Sequence, residues 1–313
     1  MSLTSNLKKA FKGIKMAGFD ESFKSIIIAN PAKLSLKNKS LIVSRDNFDD
    51  VALPLKDLAY VVLESPQITI TSALLSSIAE NKIALLSCND SHTPNGIFLP
   101  YLYHYQSNAV IKKQINQSLE QKALLWQKII QVKISNQAKV LEKYEKSHVE
   151  TLKKLSLSVK LGDSKNNEAI AANKYFKALF GDDFSRNEPC YENSALNYAY
   201  SIIRACVTRN IVVSGLLGIF GINHDNMFNN FNLADDLMEP FRPYGDDLII
   251  NLYDESKDMF LESKDKLEII RILDSKVRIS GKNFTLAMAI SKCVQSYKNS
   301  IESGNCDLDL PEF

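Results

Sequence analysis

The sequence predicts an α+β multidomain protein, with a small β-rich N-terminal domain followed by a larger all-α domain. Two features of the pattern lead to this prediction. Residues 25–100 consist of short segments rich in Ile and Val, separated by turn residues, as is typical of strands. From residue 101 onward, apolar residues recur every three or four positions, as is typical of helices. A chain of 313 residues is long enough for two such domains, each with its own core.

The segment 1–24 differs from the predicted strands that follow it. Leu3, Leu7, Phe11 and Ile14 have helical spacing among lysines. We therefore expect an amphipathic accessory segment. It lacks the apolar stretch of a secretory signal.

The β-rich domain, residues 25–100, is punctuated by Asn-Pro, Lys-Asn, Asp-Asn and Ser-Pro pairs. A helix is expected from Ala73 to Asn81, and a turn around residues 92–96. Nothing in this domain has the pattern of a catalytic site. Strands are expected at residues 25–30, 39–45, 51–55, 60–65, 68–71 and 83–88.

The helical domain, residues 101–313, opens with a stretch from 101 to 144 that contains neither Gly nor Pro. Several weaker helices should continue to about residue 300. The final segment, 304–313, is expected to be a mobile polar tail. The clearer helices are expected at 147–160, 164–180, 193–214 and 232–242.

Charge is unevenly distributed, although the formal net charge is only +2. Residues 104–160 hold eleven Lys and four Glu, a surplus of seven positive charges, whereas residues 243–313 hold nine basic and thirteen acidic side chains. This asymmetry favours one side that faces a polyanion. A solvated Lys-rich helix face explains it equally well.

Cysteine usage and hydropathy indicate a cytoplasmic protein. The five cysteines form no CxxC pair and are odd in number, which favours reduced thiols over a disulfide framework. The most apolar run, residues 211–222, is too short to span a bilayer.

Residues 221–243 combine one imidazole with a pair of carboxylates that would share one helix face. Asn232, Asp236 and Glu239 are spaced i, i+4, i+7 and would share one helix face, with His224 one loop earlier. Such groups can form a divalent-metal site if a remote third ligand joins them. The adjoining stripe, expected to face a core, consists of Leu233, Leu237 and Phe241.

The helix predicted at 164–180 offers Glu168 as that third ligand. Ser164 can cap this helix and Gly181 can end it. A carboxylate on an apolar stripe is costly to bury unless a cation or donors compensate it. Alternatively, Glu168 merely complements the helix dipole in the first turn. The stripe it shares consists of Ala171, Ala172, Tyr175 and Leu179.

The helix predicted at 193–214 is apolar around most of its circumference and carries Arg204 and Arg209. A buried Arg needs an anionic partner, which could be a carboxylate or a bound phosphate. The glycines that follow allow a tight return towards His224; they are Gly215, Gly218 and Gly221.

Together these motifs resemble the CRISPR-associated protein one family, the integrases of spacer acquisition, and most of all the members found in type II systems. Two departures are the extra segment before Ser25 and Ala199, where the family usually has Gly. The resemblance runs from about residue 25 to 243 and is densest at 164–186, 193–205, 218–226 and 233–243.

The resemblance implies that Glu168, His224 and Glu239 are the metal-binding and catalytic residues, with Asp236 in support. Two carboxylates and an imidazole favour Mg²⁺ or Mn²⁺ over Zn²⁺. The implied reaction is attack by the 3′-OH of a short DNA fragment on a strand of the CRISPR repeat, a transesterification. With water in place of the hydroxyl, the same site would act as an endonuclease.

The resemblance also implies an assembly. The domain 25–100 would be β-sandwich-like and form a homodimer, and a small second adaptation protein would bridge two dimers into a heterohexamer. The assembly would bind double-stranded DNA, both the spacer precursor and the repeat array. The type II effector nuclease would be a further candidate partner. Phosphate contacts are expected from the lysines of 104–160 and from Arg204, Arg209 and Arg242, although Arg242 could equally pair with an acidic neighbour.

Two other functions remain open on the sequence. In the first, the protein is a non-catalytic DNA-binding scaffold of the same complex, and its acidic residues only cap and brace helices. In the second, it is a metallo-hydrolase that acts on a small phosphate ester. Metal-dependent strand transfer distinguishes the integrase from both.

Overall fold

The chain divides into two compact units in the computed structural model. The first consists of residues 1–101 together with 262–274, and the second of residues 102–261 and 275–313. The residues that the structure describes are 14–18, 24–90, 92–101, 104–253 and 260–313.

The elements are numbered in chain order. The strands are β1 (Ile14–Gly18), β2 (Lys24–Ile28), β3 (Ala32–Lys37), β4 (Ser40–Ser44), β5 (Val51–Pro54), β6 (Leu58–Leu63), β7 (Ile68–Ile70), β8 (Ala84–Cys88), β9 (Pro94–Phe98), β10 (Lys276–Ile279) and β11 (Lys282–Thr285). The helices are α1 (Ser72–Glu80), α2 (Ser107–Ile115), α3 (Leu119–Lys143), α4 (Val149–Leu157), α5 (Asn167–Phe180), α6 (Tyr191–Val213), α7 (Asn232–Met238), α8 (Arg242–Leu252), α9 (Ser263–Ile270) and α10 (Leu286–Ser303).

Two β-sheets make up most of the first unit. One has the strand order β1-β2-β6-β8-β9 and the other the order β5-β4-β3-β7. Helix α1 contributes Leu74 and Ile78 to an aliphatic core that also contains Ile26, Ile28 and Leu34. Burial of such β-branched and aliphatic side chains is the main force that stabilises this unit. The β-rich N-terminal region and the mostly helical region after it are therefore confirmed.

The six strands expected between residues 25 and 88 are present, and α1 begins one residue earlier than expected. The turn expected at 92–96 is wrong in part, because Pro94–Phe98 pairs with β8 as an edge strand. Gly96 permits this pairing, since a Cβ there would lie 2.3 Å from the Oγ of Ser87. Pro and Gly are poor strand residues, and their presence favoured a turn on local grounds.

The accessory segment 1–24 falls mainly outside the described residues. Its described part, β1, pairs antiparallel with β2 and is not helical. Pairing with a neighbouring strand has overridden the helical spacing that Ile14 shares with the residues before it.

Helix α9 belongs to the first unit, although the sequence-based boundary assigned all of 101–313 to the helical domain. A buried ion pair holds it there. The Nζ of Lys266 donates to Oε1 of Glu64 at 2.7 Å, and both side chains are almost fully buried. This pair joins residues about 200 positions apart, so no local pattern could indicate it.

The second unit is mainly helical. Its long helix α3 is capped by Ser118, whose side chain accepts the N–H of Gln121, and it buries Trp126 and Ile130. Helix α6 is buried around most of its circumference, as its sequence indicated. Where only helices were expected, β10 and β11 form an antiparallel hairpin. In the described part of the chain, no helix is long and apolar enough to cross a membrane.

The C-terminal segment 304–313 was expected to be mobile, but it packs along α3. Polar side chains of α3 donate to its backbone: Gln121 to the carbonyl of Asn305, Lys128 to that of Cys306, Asn136 to that of Pro311 and Lys139 to that of Phe313. Lysines that the sequence assigned to a polyanion-facing side therefore hold the chain's own C-terminus.

Candidate active site

His224 lies in a loop that is folded tightly onto the helix α7. The loop can approach closely because residue 221 is Gly: a Cβ there would lie 2.2 Å from the carbonyl oxygen of His224 and 2.8 Å from Oδ2 of Asp236. The N–H groups of Ile222 and Asn223 donate to Asp236 Oδ2 at 2.6 and 3.0 Å. One carboxylate thus organises the whole loop.

The same carboxylate orients the imidazole of His224. Its Nδ1 lies 2.6 Å from Oδ1 of Asp236. This hydrogen bond raises the pKa of His224 and outweighs burial, which would lower it. For Asp236, burial raises the pKa of the carboxyl. Trp126 of α3 packs edge-on against the ring at 5.8 Å between centroids. Nδ1 is engaged, so Nε2 is the nitrogen left for a metal or a substrate.

Glu168 and Glu239 meet at one ammonium group, that of Lys133. The Nζ of Lys133 lies 2.6 Å from Oε1 of Glu168 and 2.5 Å from Oε2 of Glu239. The three residues come from α5, from a 3₁₀ turn between α7 and α8, and from α3. The side chain of Glu239 is only 4% exposed, whereas that of Glu168 is 28% exposed.

Two cations stabilise the ionised form of Glu239. Burial alone would raise the pKa of its carboxyl, but Arg242 and Lys133 outweigh burial, so the pKa is lowered. Lys133 behaves in the opposite sense, since Glu239 and Glu168 overcome its burial and raise its pKa. Glu239 and Lys133 are therefore both charged at neutral pH.

Lys133 was missed by the sequence analysis. It was counted among eleven lysines of a basic stretch, and nothing in its immediate neighbours marks it. A signal was nevertheless present: Lys133 follows Trp126, Ile129 and Ile130 at i+7, i+4 and i+3, which places it on the apolar stripe of α3. A Lys on such a stripe needs an anionic partner.

Two local expectations about the carboxylates are wrong. Residues 232–241 are buried on all sides, so the carboxylates do not occupy an exposed face; Asp236 and Glu239 are buried because Lys133, Arg242 and backbone donors compensate them. Ser164 does not cap α5: the N-cap residue is Asn166, and the carboxylate of Asp163 accepts the N–H groups of Asn167 and Glu168 at 2.9 and 3.0 Å. Gly181 ends α5 as expected.

Arg204 and Arg242 have carboxylate partners. The Nε of Arg204 donates to Oδ1 of Asp235 at 2.8 Å, and its guanidinium lies over the ring of Phe231. Arg242 pairs with Glu239 at 2.9 Å and lies over the ring of Tyr200. This is the alternative that the sequence left open for Arg242. Arg209 is only partly buried on α6, and its DNA contact stays a prediction.

A further buried carboxylate, that of Asp246, lies in the same unit. It accepts hydrogen bonds from the hydroxyls of Tyr175, at 2.9 Å, and Tyr200, and so joins α5, α6 and α8. Burial raises the pKa of Asp246 from 3.8 to about 6, partly offset by the two tyrosines.

We expect this carboxyl to make folding depend on pH. Its pKa is higher in the folded chain than in the unfolded one, so its contribution to stability is complete below 3.8 and is lost as pH rises through about 6. Between pH 5 and 7.5 the unfolding free energy of the native chain should fall by about 1.4 kcal/mol relative to that of Asp246→Asn. Urea unfolding of both proteins at the two pH values checks this. A difference that stays constant, or that grows with pH, contradicts it.

The donor set suits a hard divalent cation, although the described residues include no ready-made group of three His, Cys, Asp or Glu side chains around a metal position. Two carboxylates already converge on one positive charge. Oε2 of Glu239 is buried and lies 2.5 Å from the Nζ of Lys133. A buried carboxylate that already binds one cationic group is a suitable ligand for Mg²⁺ or Mn²⁺.

The family model and a curated relative assign the chain to the class of CRISPR-associated endonucleases, in agreement with its β-sheet region followed by a mostly helical region. More particularly, the chain belongs to the family described as CRISPR associated protein Cas1, whose family model matches residues 26–270. A CRISPR-associated endonuclease Cas1 of Neisseria meningitidis serogroup C is 37% identical over 295 residues, which are 93% of this chain and 97% of that protein.

Solved structures share the fold. A Cas1 protein from Thermotoga maritima superposes with a TM-score of 0.75 at 17% identity, over 92% of this chain and 100% of that one. A casposase bound to an integration product gives 0.74 at 17% identity, over 92% of each chain. A chain of a Cas6-RT-Cas1–Cas2 complex gives 0.73 at 18% identity over 94% of this chain, which spans 36% of that longer chain.

Proposed function

We propose that this chain is a metal-dependent DNA endonuclease and integrase of CRISPR adaptation, which inserts short foreign DNA fragments into the repeat array. Glu168, His224 and Glu239 hold Mg²⁺ or Mn²⁺, and Asp236 supports them. The observation that carries the proposal is the convergence of Glu168 and Glu239, 71 residues apart in sequence, on one cationic group. Family membership adds to it independently.

Each residue has a separate task in this proposal. Glu168 and Glu239 supply hard oxygen ligands, and His224 supplies Nε2 because Asp236 engages its Nδ1. The bound metal would polarise the scissile phosphodiester and lower the pKa of the attacking hydroxyl. Arg242 pairs with Oε1 of Glu239 and Lys133 with Oε2, and the two cations keep this carboxylate ionised.

The scaffold alternative, in which the acidic residues only cap and brace helices, has less support. The first free N–H groups of α5 are accepted by the carboxylate of Asp163. The carboxylate of Glu168 is therefore not needed as a cap and turns towards Lys133. A purely structural role would not require it to lie next to a second buried carboxylate.

The assembly expected for the family is part of the proposal. The β-rich unit would form a homodimer, and a small second adaptation protein would bridge two dimers into a heterohexamer on double-stranded DNA. The fold shared with a chain of a Cas1–Cas2 complex and with a casposase on its integration product supports this. Cooperation with a type II effector nuclease and a cytoplasmic location belong to the same proposal.

Strand transfer of a short duplex into a repeat-bearing supercoiled plasmid tests the function. We expect product with Mn²⁺ or Mg²⁺, none with EDTA, and none from His224→Ala. His224 is partly exposed and lies on a loop, so this variant should fold normally. If the metal is dispensable, or if His224→Ala retains native activity, the proposed site is wrong. DNA binding without any product would favour the scaffold, and turnover of a small phosphate ester alone would favour the metallo-hydrolase.

A further inference from the structure

The loop between His224 and α7 ends in two exposed apolar side chains. Met227 is 87% exposed and Phe228 is 88% exposed. Two adjacent large apolar side chains at a loop tip form a small apolar patch, and covering it would remove that surface from water at a gain in free energy. The tip is therefore suited to contact a partner.

The tip is held in one conformation by asparagine side chains. Oδ1 of Asn226 accepts the N–H of Phe228 at 2.9 Å, and the N–H of Asn229 donates to the carbonyl of Asn226 at 3.0 Å. Asn232 of α7 donates to the same carbonyl at 3.0 Å. The Nδ2 of Asn229 donates to Asp235, the partner of Arg204. A tip ordered in advance loses little entropy when it binds.

The tip is close to the proposed catalytic residues in the chain. Met227 and Phe228 are the third and fourth residues after His224, and α7, which carries Asp236, begins four residues after Phe228. With so few residues between them, a DNA strand bound at His224 would have its neighbouring bases near the tip.

The size of the patch favours a nucleobase over a protein. A stable protein interface buries about 800 Å² on each partner, far more than two side chains can offer. The residues around the pair are exposed and polar; they include Asp225, Asn226 and Asn230. Proteins that bend duplex DNA insert one or two apolar side chains, including Phe and Met, between base steps. Two adjacent apolar residues on a stiff loop suit this use.

We propose that Met227 and Phe228 form a wedge that enters the base stack of the target DNA next to the attacked phosphodiester. The proposal rests on the proposed function and adds a positioning role to it. The wedge unstacks one base step and holds the kinked strand so that the phosphodiester faces His224 and the carboxylates. It contacts bases but takes no part in bond making or breaking.

The test uses the full-length protein and a branched DNA that mimics an integration product, with 2-aminopurine placed in turn at each position around the branch. Binding is measured in EDTA, so that no chemistry occurs. We expect the native protein to raise 2-aminopurine fluorescence at one or two positions beside the branch, and Phe228→Ala to abolish this rise. Phe228→Trp should retain it. Phe260→Ala serves as the matched control, since Phe260 is 73% exposed in the same unit and lies outside the site.

Strand transfer provides the second readout. Since base–aromatic stacking changes affinity by factors near ten or above, Phe228→Ala should slow strand transfer about tenfold, whereas Phe228→Trp and Phe260→Ala should match the native protein. The proposal is overturned if Phe228→Ala keeps the fluorescence rise. It is also overturned if the variant changes only the oligomeric state in sedimentation, because the tip would then contact a protein. If the native protein forms no strand-transfer product, the proposed function is refuted instead. The fluorescence test in EDTA measures DNA binding alone and does not depend on product formation.

Discussion

Glu168→Gln and Glu239→Gln are each expected to lose metal-dependent strand transfer, but only the second should destabilise the fold strongly. Loss of a residue that merely orients a metal ligand costs about 10–100-fold in activity, so loss of a ligand should cost at least about 100-fold. Glu239 is buried between Lys133 and Arg242, and its removal leaves cations without their partner, at a cost of about 3–5 kcal/mol. Glu168 is partly exposed, and its removal should cost about 1 kcal/mol or less.

Strand transfer in Mn²⁺ and urea unfolding in EDTA measure the two effects separately. The control is Glu150→Gln, because Glu150 also lies in the first turn of a helix, α4, but is 77% exposed and away from the site. It should behave as the native protein in both assays. If Glu168→Gln is as active as Glu150→Gln, then Glu168 serves only the helix dipole, and the proposed ligand set fails.

Much of the fold could be predicted from local pattern. The strands of the first unit are recognisable because β-branched residues cluster between turn residues, and α3, α5 and α6 because apolar residues repeat at helical spacing. Two features were not predicted, for different reasons. The hairpin β10–β11 consists of two four-residue strands joined through Ser280 and Gly281, both with positive φ, so its local signal is weak. The place of α9 in the first unit depends on the ion pair between Lys266 and Glu64, which are distant in sequence.

The candidate site could be predicted only in outline. Family motifs pointed to Glu168, His224 and Glu239, and the structure adds how charge is balanced around them. Burial and counter-charges are properties of the folded chain. Asp236 occupies the same position in the helical pattern whether its carboxylate faces water or accepts backbone N–H groups, so the pattern cannot distinguish the two. Lys133 illustrates the limit best, because its role depends on two carboxylates located 35 and 106 residues further along the chain.

Lys133→Met is expected to make the unfolding free energy of the protein depend more strongly on a bound divalent metal. Without the ammonium group, the carboxylates of Glu168 and Glu239 face each other in a poorly solvated place, which should lower the unfolding free energy by about 3–5 kcal/mol in EDTA. A divalent cation that binds the same two carboxylates replaces the lost charge and does not compete with Lys133. Addition of Mn²⁺ should therefore raise the unfolding midpoint more in Lys133→Met than in the native protein, because a ligand that binds only the folded state stabilises it more when its Kd is lower.

Urea unfolding with and without Mn²⁺ measures this difference, and Mn²⁺ titration followed by electron paramagnetic resonance gives the affinity directly. Lys139→Met is the matched control: Lys139 lies on the same helix but donates to the carbonyl of Phe313, not to a carboxylate of the site. Its Mn²⁺ response should equal that of the native protein. An equal response in Lys133→Met would mean that the metal binds elsewhere, since a cation added between Glu168 and Glu239 must interact with whatever charge already lies there.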